Sequence, residues 1–197
     1  KKVEVFNVDM PLVGTFTSGG KSYDYTKCVV VRVTDTEGVS GISSIDPSNK
    51  SVSPNTAADL AVSIRDVLGP VLVGENPNKI NRIVEGAAKL APDQPGAVAG
   101  VELACIELAC RRRGIAVHDY VGGAVFDRVR FNGWIGELPP SEAAAEAKRW
   151  QDDGFKSVKI KVGTGVAADS DRVAALRDAG GSDMQLLMDS NMQCDIP

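Results

Sequence analysis

The amino-acid sequence predicts a fold in two parts: an α+β unit over residues 1–125, followed over 126–197 by the first βα units of a larger parallel α/β domain. In the first part, strand-like runs precede helix-like runs. In the second, strand and helix patterns alternate with short connections, as in parallel βαβ units. A third observation is the stretch SVKIKVG at 157–163, whose alternating apolar and cationic residues indicate a strand with two different faces.

The first part begins with strand signals. Residues 1–13 alternate as a strand, whereas 14–27 is rich in glycine, serine and tyrosine without periodicity, which indicates a flexible loop. Residues 28–45 contain two strand-like runs joined by a turn at 37–38. We therefore expect a three-stranded antiparallel meander.

Three helices are expected next. The first should begin at Asn55 or Thr56, with Asp59 in its first turns, and stop at Gly69 and Pro70, because glycine and proline commonly end helices. The other two correspond to the stretches NPNKINRIVEGAAKL and PGAVAGVELACIELACRRRG. Three arginines at the end of the last stretch suit the negative end of a helix dipole.

The second part alternates strands with helices. One helix is expected over 139–154, with Ser141 as its N-cap and Gly154 closing it, and another over 165–181. The strands are expected near residues 128–135, 157–163 and 184–191. Three parallel strands alone would leave an open sheet edge and one uncovered face, so we expect the sequence to be the first part of a larger parallel α/β domain, completed by further residues or by another chain.

Composition excludes several function classes. The chain has 197 residues, a formal net charge of −4 and a pI near 5.1, which gives no field that would attract nucleic acid or an anionic membrane. The sequence lacks an apolar run of about 20 residues and an N-terminal signal peptide, so we expect a soluble, cytoplasmic protein. Four scattered cysteines and a single histidine argue against a zinc site made from this chain alone.

Two lysines and an aspartate are the candidate chemical groups. If the apolar residues of SVKIKVG pack on helices, Lys159 and Lys161 face the barrel interior near the C-terminal end of the strand, where barrel active sites lie. Mutual repulsion and partial desolvation lower the pKa of a lysine and make it a usable base. The same alternation places Asp189 and Asn191 on one face of the next strand, and a carboxylate there could hold Mg²⁺ if two further oxygen ligands are supplied.

The motif K-x-K at 159–161, D-x-N at 189–191 and the preceding stretch VELACIELACRRRGIAVHDYVGG together resemble the enolase superfamily, in particular its mandelate racemase and muconate-lactonizing branch. The resemblance covers essentially the whole chain, from an N-terminal capping domain to the third strand of a modified TIM barrel. Either motif alone is weak, but the pair at this spacing after a glycine-glycine junction is fairly specific.

The resemblance implies an activity and roles for residues. It implies that Lys161 removes the proton α to the carboxylate of a small-molecule substrate, giving an enolate, and that Lys159 contacts that carboxylate and depresses the pKa of its neighbour. It implies that Asp189 is a ligand of Mg²⁺, or of Mn²⁺, and that Asn191 supports the site. We also expect a homo-oligomer, and the net charge argues against nucleic-acid or membrane partners.

Other residues match the capping loops of this family less directly. The loop 14–27 corresponds to the mobile loop that closes over the substrate, so Tyr23 and Tyr25 are candidates for substrate binding or, alternatively, ordinary loop aromatics. Trp134 could line the pocket or fill the barrel floor. A Gly-x-Gly-Glu pattern is common in the second capping loop, whereas this chain has Ser44 at the glutamate position.

The reaction outcome stays open at this stage. Racemisation or epimerisation, dehydration and cycloisomerisation share the enolate step, and they differ in the acid on the opposite side of the barrel. One alternative is an aldolase-like barrel enzyme that uses Lys159 or Lys161 as a Schiff-base lysine. Another is an inactive fragment or assembly module.

Overall fold

The computed structural model describes residues 1–18, 21–47 and 54–190, with side chains described over 1–13, 22–47 and 54–190. The described residues form two compact units. The first unit comprises Lys1–Leu12 and Tyr25–Val125, and the second comprises the described residues of Val13–Asp24 and Phe126–Pro197.

A three-stranded sheet opens the chain in the order β1-β2-β3. Its strands are β1 (Lys2–Ser18), β2 (Lys21–Thr34) and β3 (Ser40–Ile45), and β2 pairs with β3 in antiparallel register. The predicted loop at 14–27 is therefore wrong, because the described backbone there is strand. Threonine, phenylalanine and tyrosine at 15–17 and 23–26 favour strands, and this preference outweighs the glycines and serines that indicated a loop.

The first helical segment begins as predicted and ends later. Thr56 is its N-cap and forms a reciprocal capping box with Asp59. The segment runs through α1 (Ala57–Val62), a π-helical turn (Ser63–Leu68) and α2 (Gly69–Leu72). The predicted stop at Gly69 and Pro70 is wrong because the Gly69 N–H bonds to the carbonyl of Ile64, five residues back, and this wide turn accommodates a proline at the start of α2.

Two longer helices complete the core of the first unit. They are α3 (Ile80–Leu90) and α4 (Pro95–Arg113), which ends at Gly114 in a left-handed conformation with φ of 66°. Short α5 (Val117–Tyr120) follows. Helix α4 packs on β3, and the Ser43 hydroxyl donates a 2.6 Å hydrogen bond to the Gly100 carbonyl. The core buries apolar side chains of β2 and of the helices, including Val29, Val31, Leu60, Ile64, Ile83 and Val101.

The second unit contains a parallel sheet in the order β4-β5-β6, with α6 and α7 between its strands. The elements are β4 (Gly133–Ile135), α6 (Pro140–Asp152), β5 (Ser157–Lys161), α7 (Val166–Gly180) and β6 (Gln185–Asp189). Both helices contribute to one core with β5, made of residues such as Ala143, Ala147, Val158, Ile160 and Leu176.

Several boundaries in this unit differ from the prediction: β5 ends at Lys161 and not at 163, and β6 covers Gln185–Asp189 and not 184–191. The first strand covers 133–135 and not 128–135, because Gly133 pairs with Val158 and β5 has only one residue before that position to which an earlier part of β4 could bond. Ser141 is not the N-cap of α6. Pro139 takes that position, since Pro140 fits the first helical position, where its fixed φ is favourable and the absent N–H has no role.

Within the described residues, none of the helices combines the length and the apolar character needed to cross a membrane.

Candidate active site

The alternation of β5 separates its two faces. Val158 and Ile160 are fully buried and belong to the core formed with α6 and α7. Lys159 and Lys161 point to the opposite face, because successive side chains of a strand alternate. The apolar face of β5 therefore packs against α6 and α7, and the face with the two lysines is directed away from these helices.

The register of β6 places Asp189 beside both lysines. Lys161 pairs with Asp189 across the parallel sheet, and Lys159 pairs with Leu187 two residues earlier. The Lys161 Nζ lies 2.7 Å and the Lys159 Nζ 3.1 Å from the same Asp189 Oδ2 atom. The Lys161 side chain is 9% exposed, against 38% for Lys159, so the second lysine of the motif is the one removed from solvent.

The aspartate changes the electrostatic interaction between the two lysines. The shared Asp189 carboxylate stabilises both ammonium groups and offsets the repulsion between them. Counted by themselves, these two ammonium groups and one carboxylate near the C-terminal ends of β5 and β6 carry a formal charge of +1. An anionic ligand would be attracted to this end of the sheet.

Trp134 lies on the same face. It pairs with Lys159 across β4 and β5, while its neighbours Gly133 and Ile135 are buried toward the helices. The Trp134 carbonyl accepts a 3.0 Å hydrogen bond from the Trp150 indole N–H, which ties β4 to α6. The structure therefore brings Trp134, Lys159, Lys161 and Asp189 to one face of one sheet.

The remaining candidate residues are on strands of the first sheet or outside the described residues. Tyr23 and Tyr25 are on β2, Tyr23 partly buried and Tyr25 half exposed with the Lys27 Nζ 5.4 Å from its ring centroid. The segment after Gly41 is strand β3 as far as Ile45, and Ser44 is an exposed residue of that strand. Asn191 falls outside the described residues.

A buried arginine, Arg172, binds the backbone carbonyl of Lys161, and the sequence patterns did not identify it. Arg172 of α7 is 6% exposed. Its guanidinium donates to the carbonyls of Leu138 at 2.7 Å and Lys161 at 3.2 Å, to Asp169 Oδ1 at 2.8 Å and to Thr164 Oγ1 at 3.2 Å. The only sequence signal is an aspartate followed three residues later by an arginine, just after a glycine-rich loop.

Asp169 completes this network. Its Oδ2 accepts the Gly163 N–H at 2.8 Å, and its Oδ1 accepts the Thr164 hydroxyl at 2.9 Å. Burial alone would raise the pKa of the Asp169 carboxyl, but the hydrogen bonds from Gly163, Thr164 and Arg172 together lower it. The carboxylate is thus held ionised beside the guanidinium.

Asp189 has the chemistry of a ligand for a hard divalent cation, because Mg²⁺ prefers carboxylate oxygens. Among residues 1–18, 21–47 and 54–190, no group of three or more histidine, cysteine, aspartate or glutamate side chains is placed to hold a metal ion. The described residues therefore fit one ligand of such a site and do not complete it.

Two family models match the chain. Residues 2–122 match the N-terminal domain of the mandelate racemase / muconate lactonizing enzyme family, and residues 142–197 match the enolase C-terminal domain-like family.

Individual relatives agree with these matches. The chain is 30% identical over 97% of its length to a hydrophobic dipeptide epimerase of Enterococcus faecalis, of which it covers 53%. It is 24% identical over 96% of its length to an N-succinyl-L-Arg/Lys racemase of Bacillus cereus, of which it covers 51%. Other curated relatives include epimerases and dehydratases. The chain thus spans about half the length of the curated relatives it matches.

A solved structure shows the same architecture. The crystal structure of a dipeptide epimerase from Enterococcus faecalis, complexed with Mg and the dipeptide L-Leu-L-Tyr, has a TM-score of 0.89 and 29% identity over 98% of this chain and 54% of that one. The predicted α+β capping domain followed by the first βα units of a modified TIM barrel is confirmed. This chain belongs to the mandelate racemase and muconate-lactonizing branch of the enolase superfamily.

Proposed function

We propose that the protein abstracts the proton α to a carboxylate in a small-molecule substrate and that Lys161 is the base. The observation that carries this proposal is the position of the Lys161 amine, which is nearly buried, lies at the C-terminal end of a barrel strand and is next to Asp189 and Lys159. In its neutral form, the amine can accept a proton from a substrate carbon held above this end of the sheet.

Lys159 is the proposed contact for the substrate carboxylate. It lies on the same face as Lys161, two residues nearer the start of β5, and its side chain is more exposed. An ammonium group there binds a carboxylate and holds the α-carbon within reach of the neighbouring amine. Trp134, which pairs with Lys159 across β4 and β5, is the proposed apolar wall of the pocket.

Asp189 is the proposed ligand of a divalent cation, Mg²⁺ or Mn²⁺. When bound, the cation supplies positive charge that stabilises negative charge developing on the substrate carboxylate. Two supports are the carboxylate chemistry of Asp189 and the Mg found in a related dipeptide epimerase.

Within this reaction class, we propose epimerisation or racemisation of an amino-acid derivative ahead of dehydration and cycloisomerisation. The support is the names of curated relatives, which include a hydrophobic dipeptide epimerase, an N-succinyl-L-Arg/Lys racemase, an L-Lys-D/L-Arg epimerase and an L-Ala-D/L-Glu epimerase. Dehydratases are also among them, so the product has to be read directly.

The test is exchange of the substrate α-proton in D₂O, followed by NMR with a panel of L,L-dipeptides and N-succinyl amino acids and with MgCl₂. Lys161→Ala should slow exchange by about 10³-fold, because the general base is lost. Lys148→Ala removes an exposed lysine of α6 paired with Asp152 and should leave exchange unchanged. EDTA should stop exchange in the unsubstituted protein.

Two results would overturn this proposal. Retained exchange in a folded Lys161→Ala protein would remove Lys161 from the role of base. Borohydride trapping of a lysine adduct with a carbonyl substrate, independent of any metal, would favour Schiff-base chemistry instead.

A further inference from the structure

We propose that Arg172 is a positioning residue for Lys161: it holds the backbone at the end of β5 so that the lysine amine stays beside Asp189. This inference rests on the proposed function for its catalytic consequence. It concerns a residue of α7 whose hydrogen bonds among the described residues go to the Leu138 and Lys161 carbonyls, to Asp169 and to Thr164, and not to the Asp189 carboxylate or the lysine amine.

The geometry of the Lys161 peptide explains why a side chain is needed there. A trans peptide points its carbonyl and the following N–H in opposite directions. The Val162 N–H donates to the Asp189 carbonyl of β6 at 3.1 Å, so the Lys161 carbonyl faces the β4 side of the strand. Strand β4 has already ended at Ile135, and the Arg172 guanidinium donates to the Lys161 carbonyl in its place.

Arg172 also joins the segments around that carbonyl. One edge of its guanidinium binds the Leu138 carbonyl in the connection between β4 and α6, and another binds the Thr164 hydroxyl in the connection between β5 and α7. A planar fork with five donors can make these bonds at once, whereas a lysine ammonium is a compact point charge on a flexible stem. The guanidinium therefore fixes the ends of two neighbouring strands relative to each other.

The charge of this arginine is balanced locally. Its side chain is 8% exposed, and its one ion-pair partner among the described residues is Asp169, three residues earlier on the same helix. Asp169 in turn binds the backbone N–H of Gly163, two residues after Lys161. Arg172 and Asp169 together thus bind the backbone at Lys161, the last residue of β5, and at Gly163, in the loop that follows it. An ion pair on an exposed helix surface would make no such backbone contacts.

Loss of the Arg172 guanidinium should leave the Lys161 side chain in place chemically but allow its position to vary more. Misplacement of a reacting group by about 1 Å can cost on the order of 10²-fold in rate, while substrate binding by groups elsewhere is affected less. For Arg172→Lys we therefore expect kcat for α-proton exchange to fall by about 10- to 100-fold, with KM changed much less.

Arg177→Lys is the matched control on the same helix. Arg177 also donates to backbone carbonyls, those of Gly181, Ser182 and Met184, but at the opposite end of α7. Both substitutions remove an arginine fork and keep the charge. Arg172 is buried and Arg177 is exposed, so this control accounts for the loss of a carbonyl-binding guanidinium and not for lost packing. If Arg172 positions Lys161, only Arg172→Lys should lower kcat.

A second readout does not depend on the reaction. Trace labelling of the protein with acetic anhydride, followed by peptide mass spectrometry, gives the rate at which Lys161 reacts relative to the exposed Lys148. Arg172→Lys should raise this ratio several-fold, because the lysine leaves its nearly buried position, and Arg177→Lys should leave it unchanged.

The two readouts separate the possible failures. An unchanged labelling ratio in a folded Arg172→Lys protein, or a raised ratio with an unchanged kcat, would overturn the positioning role. A raised ratio together with no exchange in the unsubstituted protein would refute the proposed function while supporting the contact itself. If Arg172→Lys does not fold, Thr164→Val removes the hydroxyl that accepts from Arg172 and donates to Asp169, and it is judged by the same two criteria.

Discussion

Glu4 lies between two cations on the outer face of the first sheet. Its carboxylate accepts a 2.8 Å hydrogen bond from the Arg32 Nε and a 3.0 Å hydrogen bond from the Lys2 Nζ. The Arg32 guanidinium also stacks 5.2 Å from the Phe6 ring centroid. These bonds, the one from Arg32 first, lower the pKa of Glu4 from 4.5 to about 2.

Glu4 should therefore contribute to the stability of the first unit in a defined pH window. A carboxyl with a lowered pKa in the folded state stabilises the protein above the unfolded pKa, and this contribution is lost as the pH falls from about 4.5 to about 2. Glu4→Gln should have a lower urea midpoint than the unsubstituted protein at pH 6, and the two midpoints should converge near pH 2.

The control for this measurement is the same substitution in an Arg32→Gln background, where the principal hydrogen bond is already absent. The difference caused by Glu4→Gln should then shrink across the whole pH range. A difference that persists unchanged at pH 2 would show that the effect comes from packing and not from the charge.

At the scale of elements, β3 and α4 approach so closely that a glycine is required between them. A methyl carbon added to Gly41 would lie 2.1 Å from the Ala104 carbonyl oxygen and 2.3 Å from the Leu108 nitrogen. Both are backbone atoms of α4, so no side chain can rotate away to make room. The position of β3 against the helix therefore depends on the absence of a side chain at this residue.

Gly41→Ala should destabilise the first unit by about 3 kcal/mol, the upper part of the range for overpacking a rigid contact. Gly86→Ala is the opposite control, because Gly86 is exposed in the middle of α3 and a methyl group there meets no atom within 4 Å. It should stabilise the protein by up to about 1 kcal/mol through helix propensity. Urea unfolding followed by far-UV circular dichroism measures both; equal effects of the two substitutions would contradict the close contact.

Several element boundaries were not predictable from local sequence. Glycine and proline at 69–70 indicated a helix end, but a π-helical turn before them lets the helix continue, and that turn depends on how the segment packs. The short extent of β4 follows from the length of its partner β5, which a pattern read within residues 128–135 does not contain. The Thr56 cap was predictable because its capping box is formed by residues three apart.

At the scale of the whole molecule, the two-part architecture and the lysine cluster could be predicted for a common reason. The period-2 alternation of apolar residues in a strand, and the alternation of strands with helices, can both be recognised from residues close together in the sequence. These two patterns determine which side of β5 faces the helices. Arg172 could not be predicted in the same way. Its partners Leu138 and Lys161 are far from it in sequence, and only the folded chain brings their carbonyls to one guanidinium.

Each of the two units has its own hydrophobic core, and the described core residues of one do not belong to the other. The two cores contain a matched pair of leucines: Leu60 in the first, 1% exposed, and Leu176 in the second, fully buried. The chain has two tryptophans, Trp134 and Trp150, and both lie in the second unit. Tryptophan fluorescence therefore reports on the second unit, while far-UV circular dichroism reports on both.

Replacing either leucine by alanine should cost about 2–5 kcal/mol in its own unit, because each leaves a cavity in a closed core. Leu176→Ala should lower the urea midpoint seen by tryptophan fluorescence. Leu60→Ala should leave that midpoint unchanged and lower the midpoint of a separate transition, that of the first unit, seen by circular dichroism. If the two cores instead unfold as one cooperative unit, both substitutions will shift both signals equally, and the separation of the cores will have no counterpart in the free energy of unfolding.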